Sequence, residues 1–303
     1  MSGPVLLLSS AAPSASGIGG QVLADLMVGK PPEEFAWVVE PPFALNRQIS
    51  GLPAIDARIH SVLVRVSAVQ ALRLWAYRPW VLHGRVAEIV REAERIHARC
   101  IWITTSSPEL IWMGEALAAK GADLRVMVWD DPTYLTDNLR LPPSAKHSVW
   151  RSFTSLLRSA RRTAVISQAM ATRYAPFLAN EAIVIRHGVT EADMAIAPRR
   201  VGETLKVVFA GSLYAKREWN AFVRALDAIG WRIDDRQVEL FFLGNFPRHG
   251  AIRPRQMRVL GMQPFRQAMK IMAEMDIGYL PYWFDAKHEL VARTSFPGKM
   301  SAY

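Results

Sequence analysis

The chain has 303 residues, half of them hydrophobic and 21% charged, with a formal net charge of +10. That is too long for one small core and suits two α/β domains, and the composition excludes a disordered tail and a membrane bundle. A single cysteine, Cys100, excludes an intrachain disulfide and fits a reducing cytosol.

The excess charge is spread evenly. Residues 1–200 hold 22 basic and 17 acidic side chains and residues 201–303 hold 15 and 10, so each part carries +5. A diffuse positive field suits phosphate-bearing ligands, an anionic membrane surface or nucleic acid, and does not choose among them. No apolar run approaches the ~18–20 residues of a membrane-spanning helix.

Strands and helices alternate along the chain. Residues 5–8 read as the first strand, followed by a small-residue loop and a helix near 21–28. Residues 35–39 are the next strand. An amphipathic helix covers 85–98, with Val86, Ile89, Val90, Ala93 and Ile96 on one face. Then come a strand at 100–104, a helix at 108–120 stopped by Gly121, and a strand at 124–129. A helix near 145–159, a strand at 163–167, a helix near 168–178 and a strand at 182–186 complete the first half. Several of these strands are apolar on both faces, as parallel strands covered by helices are. The expected class is α/β, with two Rossmann-like doubly wound parallel-sheet domains, the second incomplete at Tyr303.

Periodicity lapses in the linker, and the expected division is a first domain at 1–191, a linker at 192–204 and a second domain at 205–303. The pattern restarts with strands at 206–210, 238–243, 257–260 and 276–280 and helices at 217–229 and 264–274. Residues 297–303 read as the opening of a further helix.

Three strand-to-helix loops carry the chemistry. The first, 14–20, holds Gly17, Gly19 and Gly20; glycines let the backbone approach a ligand, and a helix start offers free N–H groups to an anion. It lacks the third glycine of the dinucleotide fingerprint. The second, Gly211, Ser212, Leu213, Tyr214, Ala215 and Lys216, sets a glycine at a strand end and a cation at a helix start. The third runs through Ser295, Phe296, Pro297, Gly298 and Lys299, with Ser295 placed as an N-cap and Pro297 in the first turn. Two such loops in one half would lie at the carboxyl edge of one sheet, where open α/β sheets bind ligands.

These residues carry a resemblance. The run from Val207 to Leu213 followed by Lys216, then Gly261, then Met275 to Pro281, then Ser295 to Lys299 and Tyr303, resembles the donor domain of family-4, group-1 glycosyltransferases. Val165 to Ser167 and Arg186 to Val189 resemble the last strands before that family's linker. The resemblance implies the GT-B fold and an NDP-sugar donor held by the second domain. It also implies a glycan, lipid-linked or small-molecule acceptor held mainly by the first, and retention at the anomeric carbon with neither metal nor cofactor. It casts Lys216 as the charge that neutralises the leaving diphosphate and Ser295 to Lys299, with Gly211 and Ser212, as the donor loop. Gly17, Gly19 and Gly20 would approach the reacting centre. The chain departs from the family at Ser212, where Arg or Lys is frequent. The family often has two glutamates separated by seven residues; with Glu289 as the first, Pro297 stands at the second place, and Ala302 stands where an acid often precedes the tyrosine.

Asp130, after the strand at 124–129, is a candidate for an acceptor hydroxyl, beside the alternative of turn and cap chemistry around Pro132. Glu289 is a catalytic candidate and His187 an acceptor-side one. No His or Cys cluster supports a metal. Arg65, Arg73, Trp75, Tyr77, Arg78 and Trp80 mix cations with aromatics, which fits either a peripheral contact with an anionic membrane or a half-buried helix with outward arginines. No nucleic-acid motif accompanies the basic stretches. The expected locale is cytoplasmic, at most peripheral at the inner membrane face. Two other readings stay open: a non-catalytic basic module binding a polyanion or sugar nucleotide, and a GT-B-like epimerase.

Overall fold

The computed structural model describes residues 3–13, 18–39, 48–49, 74–186, 188 and 202–301. The chain divides into two units, Met1–Arg186 and His187–Tyr303.

Unit 1 is built on a seven-stranded sheet: β1 (Val5–Ser9), β2 (Phe35–Val39), β3 (Gln48–Ile49), β4 (Cys100–Thr104), β5 (Leu124–Val128), β6 (Arg162–Val165) and β7 (Ile183–Val184). Their order is β3-β2-β1-β4-β5-β6-β7, and only β3 pairs antiparallel. All five residues of β1 are buried, which explains the unbroken apolar run from Val5 to Leu8. The helices are α1 (Ile18–Leu26), α2 (Leu82–Arg95), α3 (Pro108–Ala119), α4 (Pro132–Asn138), α5 (Pro143–Ser159) and α6 (Gln168–Tyr174). The core joins Leu6 and Leu8 with Ile89 of α2, Ile111 of α3, and Phe153 and Leu157 of α5.

Local chemistry starts these helices just beyond the strands. Ser107 caps α3 by accepting from the Leu110 amide at 3.3 Å, with Pro108 in the first turn. Ser167 does the same for α6 through the Met170 amide at 3.1 Å. Gly121, at φ 78°, ends α3 as its sequence position requires.

Unit 2 contains β8 (Thr204–Ala210), β9 (Arg232–Ile233), β10 (Arg236–Leu243), β11 (Met257–Gly261) and β12 (Ile277–Gly278). The parallel order is β11-β10-β8-β12, and β9 forms a hairpin with β10. Its helices are α7 (Lys216–Ala228), α8 (Phe265–Ala273) and α9 (Glu289–Thr294). Trp219 of α7 is fully buried against Phe209 and Phe242.

Four local expectations are corrected. The first helix begins at Ile18, so Gly19 and Gly20 are helical and not part of the loop. Asp131 and Pro132, read as turn and cap chemistry, do form a cap, but it opens a whole helix, α4, that the sequence reading does not place. A helix, α9, precedes Ser295, because Asp285 organises the turn before it and the hydroxyls of Thr294 and Ser295 donate back to Leu290 and Val291 carbonyls. Residues Gly298–Ser301 form a 3₁₀ turn where an α-helix was expected. Gly17, His187, Arg65, Arg73, Ala302, Tyr303 and most of the linker lie outside the described residues.

Candidate functional site

In both sheets the strand order reverses beside the first strand: between β1 and β4 in unit 1, and between β8 and β12 in unit 2. The carboxyl ends of strands at such a reversal form the ligand crevice of open α/β sheets.

At this edge of unit 2, three neighbouring strands end in glycine. Gly211 (φ 96°), Gly244 (φ 139°) and Gly261 (φ 71°) follow or close β8, β10 and β11. The Gly211 amide donates to the Leu243 carbonyl at 2.7 Å and the Gly244 amide to the Gly261 carbonyl at 2.8 Å. A Cβ at Gly244 would lie 2.6 Å from the Gly211 carbonyl oxygen, so no side chain fits there. The edge is bare backbone, open to close approach. Sequence reading picked Gly211 and Gly261 and passed over Gly244, whose demand comes from a neighbour 33 residues away.

Helix α7 starts at Lys216 with no side-chain cap on its N-terminus. Its first N–H groups therefore have an anion-binding disposition. The Lys216 ammonium is fixed, donating to the His249 carbonyl at 2.9 Å. The loop it grips is held by the same helical turn: Trp219 Nε1 donates to the Ile252 carbonyl at 2.8 Å, and Asn220 accepts from the Ile252 amide at 2.8 Å. Gly250, at φ 80°, lies beside the lysine stem in a backbone conformation that favours glycine. A lysine has three N–H donors, so one bond to a carbonyl leaves capacity for a ligand.

The other wall is aromatic. Tyr214 meets Trp283 at 4.7 Å and Tyr282 at 6.2 Å between ring centroids, and Trp283 stacks on His288 at 4.9 Å. Asp285 accepts from the His288 amide at 3.0 Å and contacts His288 Nδ1 at 2.7 Å. Burial works against the Asp285 carboxylate, but the bonds from His288 outweigh it, and the nearby Arg217 charge adds to them, holding its pKa below the ordinary value. Burial, and then the Glu218 charge, pushes the Tyr279 phenol up to about 12.

This aromatic wall joins two of the sequence motifs. Tyr282 Oη contacts Ser295 Oγ, and Tyr282 meets Tyr214 of the glycine loop, so the Gly211–Lys216 loop and the segment at Ser295 belong to one edge. Ser295 is not an N-cap; it closes α9, its hydroxyl donating to the Val291 carbonyl at 2.7 Å. Phe296, Pro297 and Gly298 follow it half-buried, and Lys299 lies in the 3₁₀ turn. Glu289 stands at the start of α9 in an exposed ion pair with Arg293 at 2.8 Å.

The edge of unit 1 is lined by hydroxyls and an acid. Ser10 and Ser106 hydroxyls are 2.7 Å apart, and Thr104 lies 3.3 Å from Ser106. This cluster was missed, although Ser9–Ser10 and the run from Thr104 to Ser107 directly follow apolar strands. After β5, Asp131 takes the cap role: it accepts from the Thr133 amide at 2.8 Å, Arg173 Nε at 3.0 Å and Tyr174 Oη at 2.7 Å. Asp130 is half-buried, and burial and the Asp131 charge, with no hydrogen bond, are what act on its carboxyl. Burial first, and the Asp131 charge second, raise its pKa. Beside it the Trp129 indole N–H is buried without a partner among the described residues. Buried polar atoms left unpaired are rare and point to a role.

No protein-family model and no curated protein matches the sequence. Solved structures do resemble it. Sucrose-phosphate synthase from Thermosynechococcus elongatus gives a TM-score of 0.56 at 10% identity, over 93% of this chain and 77% of that one. An α,α-trehalose-phosphate synthase (UDP-forming) from Burkholderia vietnamiensis gives 0.52 at 11% identity, over 98% and 82%. The fold is of the GT-B class, with two Rossmann-like α/β units in tandem. No helix among the described residues is long and apolar enough to cross a membrane.

Proposed function

We propose that the chain is a glycosyltransferase that moves a sugar from a nucleoside-diphosphate sugar to an acceptor hydroxyl. The observation that carries this reading is the carboxyl edge of unit 2. There, glycine-ended strands leave the edge bare, and beside them an uncapped helix N-terminus and a tethered Lys216 provide backbone donors and a fixed cation together. The neighbours named above share this fold, and one of them is described as UDP-forming.

In this reading the leaving diphosphate lies at the start of α7. Lys216 and the helical amides oppose the charge that grows on it, without reorganising, as preorganised donors do. The segment from Ser295 to Lys299 completes the donor site. Asp130 and the serine cluster of unit 1 serve the acceptor, a glycan, lipid-linked compound or small molecule. The family-4 resemblance supports retention at the anomeric carbon and independence from a metal.

The test is a thermal-shift series with UDP, GDP, ADP and inorganic phosphate on the wild type and on Lys216→Ala. A ligand at ~100 times its dissociation constant adds ~2.7 kcal/mol of stability. One diphosphate should do so far better than phosphate, and the substitution should remove most of the gain. On turnover, Lys216→Ala should cost roughly 10²–10³-fold in kcat. Equal shifts in both proteins would discard Lys216 and the site with it. NMR of the product's anomeric proton, with and without EDTA, tests retention and metal independence.

A further inference from the structure

The excess charge of residues 201–303 is gathered on one segment. Residues 240–273 hold six basic side chains, Arg248, Arg253, Arg255, Arg258, Arg266 and Lys270, and no acidic one. The rest of 201–303 holds nine basic and ten acidic side chains, so the segment carries +6 and the remainder −1. The segment forms one end of the unit 2 sheet, because β11 is the outermost parallel strand. Its apolar side chains face inward. Ile252 and Met257 pack into the cluster around Trp219, and Leu260 packs with Ala268 and Ile271 of α8 on the opposite sheet face. All six cations are exposed.

Six like charges with no acid among them repel one another, and an anionic partner relieves that repulsion. Arg258 alone of the six is in an ion pair among the described residues, with Glu239 at 3.6 Å, and it lies over the Phe241 ring. A charge on an edge strand guards it against pairing with another chain. The other five stand on the loop before β11 and on α8, so protection of the strand does not account for them. The loop is held in place, since Asn220 accepts from the Ile252 amide at 2.8 Å and donates to the Gly250 carbonyl at 3.1 Å. Phe241 and Phe242 are buried and Phe246 and Phe265 half-buried, so the segment offers no ring on which a nucleic-acid base could stack. What it does expose is Met262, 69% accessible, between β11 and the first turn of α8. Cations around an exposed apolar side chain match the headgroup layer of an anionic bilayer.

We infer that the β11 end of unit 2 docks on the surface of an anionic lipid bilayer. Arg248, Arg253, Arg255, Arg266 and Lys270 meet the lipid phosphates, and Met262 enters the headgroup layer. The inference goes beyond sugar transfer and does not rest on it, since neither Lys216 nor a nucleotide enters.

The experiment is sedimentation of the full chain with vesicles of phosphatidylcholine alone or mixed with phosphatidylglycerol. The mixed vesicles should bind roughly tenfold more tightly or better. The difference should vanish at about 1 M salt, where charges are screened within about 3 Å. Each neutralised cation should weaken binding roughly fivefold, so Arg253→Gln, Arg255→Gln and Lys270→Gln together should cost on the order of 100-fold. Lys120→Gln, Arg151→Gln and Arg224→Gln, also at exposed positions, remove the same charge elsewhere and should cost less than about threefold. Met262→Cys takes a fluorescent thiol label at one place, because Cys100 is buried. Its emission should move to the blue on the mixed vesicles and not on phosphatidylcholine alone. Equal binding to both vesicles, equal losses in the two triple variants, no emission shift at saturation, or tighter binding of a single-stranded RNA than of the mixed vesicles each overturns the proposal.

Discussion

The two units place the same crevice at the same point of the same strand order and line it with opposite chemistry. In unit 2 the strand ends are glycines, and the nearby side chains are a tethered cation and a row of aromatics. In unit 1 the strand ends carry serine and threonine hydroxyls and a half-buried carboxylate. A bare backbone with a fixed cation suits phosphate, whereas hydroxyls and an unpaired acid suit a neutral polyol or a proton in transit. Topology thus decides where ligands bind, and the residues at the strand ends decide which.

Adjacent positions within one edge divide labour in the same way. Asp131 is satisfied three times over and fixes α4 to α6, while Asp130 next to it is left without a partner. One aspartate is spent on architecture, and its neighbour takes no part in it.

Three substitutions would break or sharpen this contrast. Gly244→Val has the largest expected effect. It adds a side chain at φ 139°, where the first carbon already meets the Gly211 carbonyl at 2.6 Å. Backbone strain and overpacking together should cost about 4 kcal/mol. Hydrogen exchange should show the lost protection in unit 2 peptides alone, together with loss of nucleotide binding. Protection lost equally in both units would refute the separation.

Asp131→Ala comes next. It removes a helix cap and leaves the buried Tyr174 hydroxyl without its acceptor, for roughly 2–3 kcal/mol. The lost protection should fall in unit 1, with the nucleotide thermal shift retained. A loss below 0.5 kcal/mol in chemical denaturation would contradict the clamp.

Asp130→Asn should have the smallest effect, and in the opposite direction. The folded pKa of Asp130 is raised above its ordinary 3.8, so the folded state holds that proton more tightly than the unfolded chain does. The cost of the charge is absent below pH 3.8 and grows as pH rises through the folded value. Asn should therefore stabilise the protein at neutral pH, with the gain fading in acid, while transfer to an acceptor falls. Melting temperatures of both proteins between pH 3 and 8 check this, and a gain that persists at pH 3 would exclude the carboxylate as its cause.

Much of this was readable along the chain. The two-sided apolar runs at 5–8, 100–104 and 206–210 could only be covered parallel strands, and the glycine and lysine between Ala210 and Arg217 marked a strand-to-helix junction. Helix α4 escaped because Asp131 and Pro132 look the same in a turn as at a helix start. The division between Asp130 and Asp131 escaped because Arg173 and Tyr174 reach Asp131 from 42 and 43 residues away.

What the sequence determined by itself was the alternation of elements, since burial period and turn chemistry are local and leave their mark within a few residues. Tertiary structure alone decided which glycine must stay bare, which aspartate stays unpaired, and that Tyr282 joins the loops at Gly211 and Ser295. Each of these depends on atoms brought within hydrogen-bond or van der Waals distance by strands far apart in the chain, and no pattern of neighbouring residues encodes such a distance.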